Sequence, residues 1–275
     1  MTLLGTLGQS VSHIWGVGPR MKEILGRLGI SRIADLLQHA PRSYLDLRHP
    51  VPIDRENLGK TILVRARLLA VTEIRRKVLL VKATAKDSEG RALHLIWFNN
   101  RFVRGRLVVG RDYDFYGRLE NSFDGPQLVQ PMFEESGTPA AQLHMNRIVP
   151  LYHLTAGVTQ KTIRTQLWRA LDMIPPGPAE YLPPDVNTRF GLPDLISSYR
   201  SLHFPADETA AEHARSRFAF DSLYLFELKV LMQRTTNQTA HGVQFKLPEE
   251  TVEEYVSALP YEPTHSQTAA MRDIE

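Results

Sequence analysis

The sequence predicts an α+β protein: a five-stranded β-barrel of the OB type, flanked by an N-terminal helical hairpin and by C-terminal helices. Three observations predict it. Residues 62–134 break into short runs of alternating apolar and polar residues, separated by Gly, Asp and Asn turns, the pattern of a small antiparallel barrel or sandwich. On both sides of that stretch, apolar residues recur at helical spacing. At 275 residues the chain is long enough for about two domains.

Composition narrows the function. Hydrophobic content of 43% and charged content of 23% are ordinary for a globular protein. The absence of cysteine excludes a disulfide framework, a thiolate metal site and a cysteine nucleophile, and it fits a reducing cytosol. No apolar run reaches the ~18 residues of a membrane span, and no basic segment followed by an apolar block marks an export signal. Between Ile62 and Glu134, 13 Lys and Arg stand against 8 Asp and Glu, whereas the whole chain is only +3. The rest of the chain is therefore slightly acidic. Such concentration of positive charge is the footprint of a phosphate-bearing partner.

The elements follow in order. Residues 1–12 read as a mobile leader. In residues 1–50, Met21, Ile24, Leu25 and Leu28 mark a helix ended by Gly29, and Ser31 is the expected N-cap of a second helix carrying Ile33, Leu36 and Leu37. Gly16-Val17-Gly18-Pro19, helix, Gly-Ile, helix is similar to a helix-hairpin-helix element. Gly16 and Gly18 are then candidate contacts to a DNA phosphate; a purely structural hairpin is the other reading. Pro50 and Pro52 lead into the β module, residues 51–150. Gly59-Lys60-Thr61 imitates the end of a phosphate-binding loop. Asp54 stands where that loop needs its first glycine, and a strand follows where a helix is required.

Within the module, Ile62, Val64, Ala66 and Leu68 share one strand face, and Leu63, Arg65 and Arg67 the other. KVLLVKATAKD, ALHLIWF, YDFYGRLE and QLVQPMF supply the remaining strands, with turns at Asp87–Gly90 and at Asp124-Gly125-Pro126. Trp97 alternates with Leu93 and Leu95 and is expected in the core. Phe98 lies on the opposite face, and Phe102 falls in a loop among charged residues; exposure of this pair is left open. Phe98, Asn99, Asn100, Arg101, Phe102, Arg104 and Arg106 together combine rings, amides and arginines. Bases stack on rings at about 1–3 kcal/mol each, arginines meet phosphates, and amides reach base edges or sugars.

Residues 151–258 read as a helical region. Residues 135–141 form a polar connector, and Arg147–Tyr152 one more short strand. Thr159 caps a helix with Ile163, Leu167 and Leu171 inward, and five prolines between 175 and 184 form a rigid linker. Residues 192–202 give a short helix. Asp207-Glu208-Thr209 opens a long one, to about Gln233, whose apolar residues cover most of its circumference and predict burial between other elements. Residues 259–267 lead into a further helix that starts at Thr268, and the remainder of a domain is expected beyond Glu275. No catalytic constellation emerges: HExxH and GxSxG are missing, and the ten histidines are scattered without metal-ligand spacing. Asp112 and Asp114 read as solvated strand charge beside Arg111 and Arg118. No catalytic or metal-ligating residue is expected.

The order of these motifs resembles the N-terminal half of RecG, a family of bacterial ATP-dependent DNA helicases that remodel stalled forks and Holliday junctions in DNA repair and recombination. GVGPRMKEILGRLGI with DLL comes first, then a small barrel with WFNNRF, then VPLYHLTAGVTQKTIR, ARSRFAFDSLYLFEL and LPYEPTHSQ, from Trp15 to Glu275. The resemblance implies that the barrel is the wedge domain that splits the junction. It implies that Phe98 and Phe102 are the base-stacking pair, with Asn99, Asn100, Arg101, Arg104 and Arg106 beside the strand. Thr264 and Gln267 would form a Q-motif-like approach to the adenine of ATP, at the start of a truncated motor domain. The long helix and the proline-rich connector would pack toward the motor. ATP and Mg2+ are implied for the full-length family, with no cofactor for this chain alone; partners would be branched DNA and motor domains in cis or in trans. The protein would be a monomer, cytoplasmic, nucleoid-associated and without a membrane partner. The phosphate-binding loop and both motor domains are expected after Glu275, so this chain alone is expected neither to hydrolyse ATP nor to unwind DNA. Two other readings stay open: a stand-alone OB-fold protein for single-stranded nucleic acid, and an interaction module whose helix at Phe218–Leu231 binds a separate motor.

Overall fold

Hydrophobic spacing at the N-terminus builds three short helices, α1 (Leu3–Leu7), α2 (Pro19–Gly26) and α3 (Ile33–Gln38). The computed structural model describes residues 3–75, 77–175, 180–239 and 254–274. It separates into two units, residues 1–222 and 223–275. The expected leader is instead ordered: α1 leads into a 3-10 turn at Val11–His13, with Val11 and Ile14 buried. Burial of these two side chains and the Ser10 cap, whose Oγ accepts from Ser12 N at 3.4 Å, order the segment. Ser31 is not the N-cap of α3. The Asp35 carboxylate accepts from Ser31 N, Ser31 Oγ and Arg32 N at 2.8–2.9 Å, because an anion at the third helical position satisfies free N–H groups better than a hydroxyl.

The β module follows a two-residue period. Strand β1 (Ser43–Asp46) precedes it, then β2 (Thr61–Arg75), β3 (Leu79–Lys86) and β4 (Ala92–Phe98). Helix α4 (Arg101–Arg106) connects to β5 (Asp112–Ser122), β6 (Gly125–Val129) and β7 (Met132–Glu135). Strand β2 pairs antiparallel with both β3 and β5, β3 with β4, and β5 with β6, while β4 and β6 run parallel. These pairings form a closed circuit within one mixed sheet. The expected single strand QLVQPMF is split in two. Gln130 takes φ +53° and Pro131 has no N–H to donate, so the chain turns a corner and β7 adds to β5. Val64, Ala66, Leu68, Leu95, Trp97, Phe115 and Leu128 fill the interior. On the other face of β2, Leu63 packs with Leu47, Met145 and Val149. Of the two strand carboxylates expected in solvent only Asp112 is exposed; Asp114 is fully buried and accepts from Arg65 Nε at 2.7 Å and from Asn146 Nδ2 at 2.7 Å. A chain segment distant in sequence covers its strand position.

Beyond β7 the expected connector folds into α5 (Pro139–His144), capped by Thr138. Strand β8 (Ile148–Leu151) pairs antiparallel with β1. Helices α6 (Gln160–Asp172), α7 (Pro184–Phe190) and α8 (Leu195–His203) follow. Thr159 Oγ1 accepts from Thr162 N at 3.2 Å, and Ile163, Leu167 and Leu171 point inward as the spacing predicts. Leu25, Leu36 and Leu37 share a core with Tyr152, Ile163, Leu167 and Tyr199, so segments before and after the β module bury each other. Helix α9 spans Glu208–Thr239. The expectation that it is mostly buried fails: Ala211, Ala214, Arg217 and Asp221 are covered, but Leu223, Phe226, Val230 and Met232 are exposed. In the second unit, a helix spans His265–Ile274. Among the described residues no helix is long and apolar enough to cross a membrane.

Candidate nucleic-acid interface

The site forms where β4 ends and α4 begins. Phe98 closes β4 on its outer face, opposite buried Trp97, and is 42% exposed. Asn99 turns the chain in the left-handed region at φ +54°, and its N–H donates to Leu79 O at 2.8 Å. Asn100 is the N-cap of α4, its Oδ1 accepting from Phe102 N at 3.2 Å. The expected loop around Phe102 is therefore helical. Val103 and Leu107 anchor α4 inward, which turns Phe102 out to 74% exposure beside exposed Arg101 and Arg104. Gln130 braces the junction from the end of β6: its N–H donates to Ile96 O at 2.7 Å and its Nε2 to Phe98 O at 3.0 Å.

A cleft of about 410 Å³ runs past Phe102, lined also by Asn100, Arg106, Gln130, Met132 and Lys161. Arg106 is tethered there. Its Nη2 donates to Glu134 Oε2 at 3.0 Å, and its guanidinium lies 4.8 Å from the Phe133 ring. Lys161 pairs with the other oxygen of Glu134 and donates to Phe133 O at 3.2 Å. Burial pulls the Lys161 ammonium down, while its contacts with Glu134 act the other way. One buried carboxylate thus holds two cations, which leaves the cleft floor positive. Gln130, Glu134 and Lys161 gave no local signal in the sequence; a strand corner and α6 deliver them. Trp97, as expected, is internal: its Nε1 donates to Pro131 O at 2.9 Å and its ring meets Phe133 edge-on at 5.5 Å.

The other predicted residues lie elsewhere. Gly16 takes φ +83°, and a Cβ there would stand 2.6 Å from Arg169 Nη1. That guanidinium donates to Trp15 O at 2.7 Å and stacks 4.2 Å above the Trp15 ring. Gly18 caps α2, and a Cβ added to it would meet nothing within 4 Å. Thr264 and Gln267 form a capping box in the second unit: Gln267 Oε1 accepts from Thr264 N at 2.8 Å, and Gln267 N donates to Thr264 Oγ1 at 3.4 Å.

The ATP-dependent DNA helicase RecG of Thermotoga maritima is 26% identical over 272 residues, covering 98% of this chain and 34% of the relative. The same helicase of Escherichia coli K12 is 26% identical over 274 residues, covering 96% and 39%. The chain thus spans little more than a third of the length of these relatives. A solved structure of RecG bound to a three-way DNA junction superposes with a TM-score of 0.72 at 24% identity, over 98% of this chain and 37% of that one, which shows a common fold. The family model of the RecG wedge domain matches residues 10–174. The chain belongs to the RecG wedge-domain family.

Proposed function

We propose that this chain is the branched-DNA-binding portion of a fork-remodelling helicase, with its motor supplied by further domains in cis or in trans. The observation that carries it is the exposure of Phe98 and Phe102 on one positively charged corner, held out by buried Trp97 and Val103 beneath them. Paired strands meeting that corner would exchange base-on-base stacking for base-on-ring stacking, while Arg101, Arg104 and the Arg106–Lys161 cleft take phosphates. Asn99 and Asn100 set the turn and lie within reach of sugars. The relatives are DNA helicases by name, and the similar solved structure is of RecG on a three-way DNA junction; both favour this partner.

Within this reading the closed circuit β2-β3-β4-β6-β5 is an OB-fold barrel. The parallel β4–β6 pair and the helix between β4 and β5 support that assignment. Open space at Gly18 suits a second phosphate contact at the start of α2, whereas Gly16 packs against Arg169. ATP and Mg2+ would be handled by the motor. Thr264 and Gln267 are exposed, and Gln267 would meet an adenine through its amide nitrogen, since its Oε1 already accepts from Thr264. The exposed apolar face of α9 would pack on that motor.

Binding of a fluorescent fork, a duplex and an unbranched single strand by the purified chain tests the proposal. The fork should bind most tightly. Phe98→Ala with Phe102→Ala should weaken fork binding on the order of 100-fold, given about 1–3 kcal/mol per stacked base, with the melting temperature unchanged. Equal fork affinity of wild type and double mutant would refute it. A preference for the unbranched strand would point instead to a stand-alone single-strand binder.

A further inference from the structure

Helix α6 carries a track away from the Phe102 cleft. Lys161, Thr165, Trp168 and Arg169 lie at positions i, i+4, i+7 and i+8, on one helix face. Lys161 lines the Phe102 cleft. Thr165, Trp168 and Arg169 line a second cleft of about 450 Å³, with His144 and Arg147 on its other side. From Lys161 to Trp168 the helix rises about 10 Å, roughly three nucleotides at the ~3.4 Å stacked spacing of a strand. Asp172, one turn further on, ends the positive face.

The second cleft has the chemistry of a nucleic-acid contact. Among the described residues no carboxylate lines it, and two arginines do. Trp168 is 42% exposed, steadied edge-on by Phe204 at 5.2 Å. His144 is only 8% exposed, yet among the described residues its Nδ1 has no partner, and neither has the buried Nε of Arg147. Such orphan polar atoms are costly unless a ligand or water meets them. A neutral imidazole can bond a base amine or a hydroxyl, and Arg147 a phosphate or a base carbonyl.

We propose that this cleft is a second stacking subsite: a single strand leaving Phe98 and Phe102 follows α6 and lays a base on Trp168, with its phosphates at Arg147 and Arg169. The proposal rests on the junction-binding reading and adds a strand path to it. An acidic peptide would also satisfy the arginines, but the aromatic face and the continuity with the Phe102 cleft favour nucleic acid.

The test uses the full chain and forks with one oligo-dT arm of increasing length, followed by anisotropy. Affinity should rise about five- to tenfold once the arm passes about four nucleotides, as one added stack provides. Trp168→Ala should abolish that gain and leave forks without the arm unaffected, while Trp168→Phe should retain most of it. In a Trp15→Phe background, the arm should quench tryptophan emission, and adding Trp168→Phe should remove the quenching. An arm-length gain that persists in Trp168→Ala, or Trp168 emission that an acidic peptide quenches and the arm does not, would overturn the subsite. Failure of forks to outbind duplex would overturn the junction reading itself, so the two failures are distinguishable.

Discussion

His203 shows how one buried residue sets a pH limit. Its Nε2 donates to Leu37 O at 2.8 Å, so its Nδ1 must accept from Tyr152 Oη at 3.0 Å, which fixes a neutral tautomer. Burial pulls its pKa down to about 4, outweighing the opposing bond to Leu37. The unfolded chain binds this proton near pH 6.5. Above that value the two states are equally neutral; below it the unfolded state gains the proton first. The His203 contribution to stability should therefore fall from about pH 6.5 to about pH 4 and then level off. Urea melts should show this share, on the order of 3 kcal/mol in all, as the difference between wild type and His203→Gln, while the slope from buried His144, lowered to about 3, remains. Arg217, also fully buried, donates to Glu180 on one side and Asp221 on the other. Burial raises the Glu180 carboxyl, but Arg217 and the Leu182 N–H outweigh it and hold it down to about 2. Arg217→Met strands two carboxylates and should cost about 3 kcal/mol in a denaturant melt at pH 7.

At the scale of elements, the β4–α4 junction converts a strand ending into a presenting surface. Asn99 accepts the left-handed turn that few other side chains tolerate, and Asn100 caps the six-residue helix that carries Phe102. So short a helix has little stability of its own. Asn100→Ala should cost about 1 kcal/mol and should weaken fork binding by loosening Phe102, while Asn100→Asp should retain the stability and lose binding through its added negative charge. Anisotropy and thermal melts on the same samples separate these outcomes. Helix α9 makes the opposite point. Its residues read as buried all round because both halves are apolar, yet Ala211, Ala214 and Arg217 are covered while Leu223, Phe226 and Met232 are exposed. Periodicity measures the need for cover; what provides that cover is a separate matter.

For the whole molecule, charge placement decides more than net charge. A chain of +3 directs its excess to the β module, and the structure gathers Arg101, Arg104, Arg106 and Lys161 around one exposed corner. Fork affinity should accordingly fall with salt. A plot of log affinity against log salt should slope at about −2 or steeper, and Arg101→Gln with Arg104→Gln should flatten it by about 1 to 2, since each neutralised phosphate contributes about 0.7–0.9. A slope unchanged by these substitutions would place the phosphate contacts elsewhere.

By itself the sequence determined the local facts: the strand periods of residues 62–129, the burial of Trp97, the caps at Thr159 and at Asp207, and the basic character of the module. These depend on neighbours within a few residues. Only the tertiary structure decided that Phe98 and Phe102 both face outward, that Asp114 is sealed under Asn146, and that Gln130, Glu134 and Lys161 join the site. It also decided that the helices before and after the β module share one core. The physical reason is common to all of these. Whether a side chain is covered depends on what packs over it, and here the covering residues come from tens of positions away, where no spacing rule reaches.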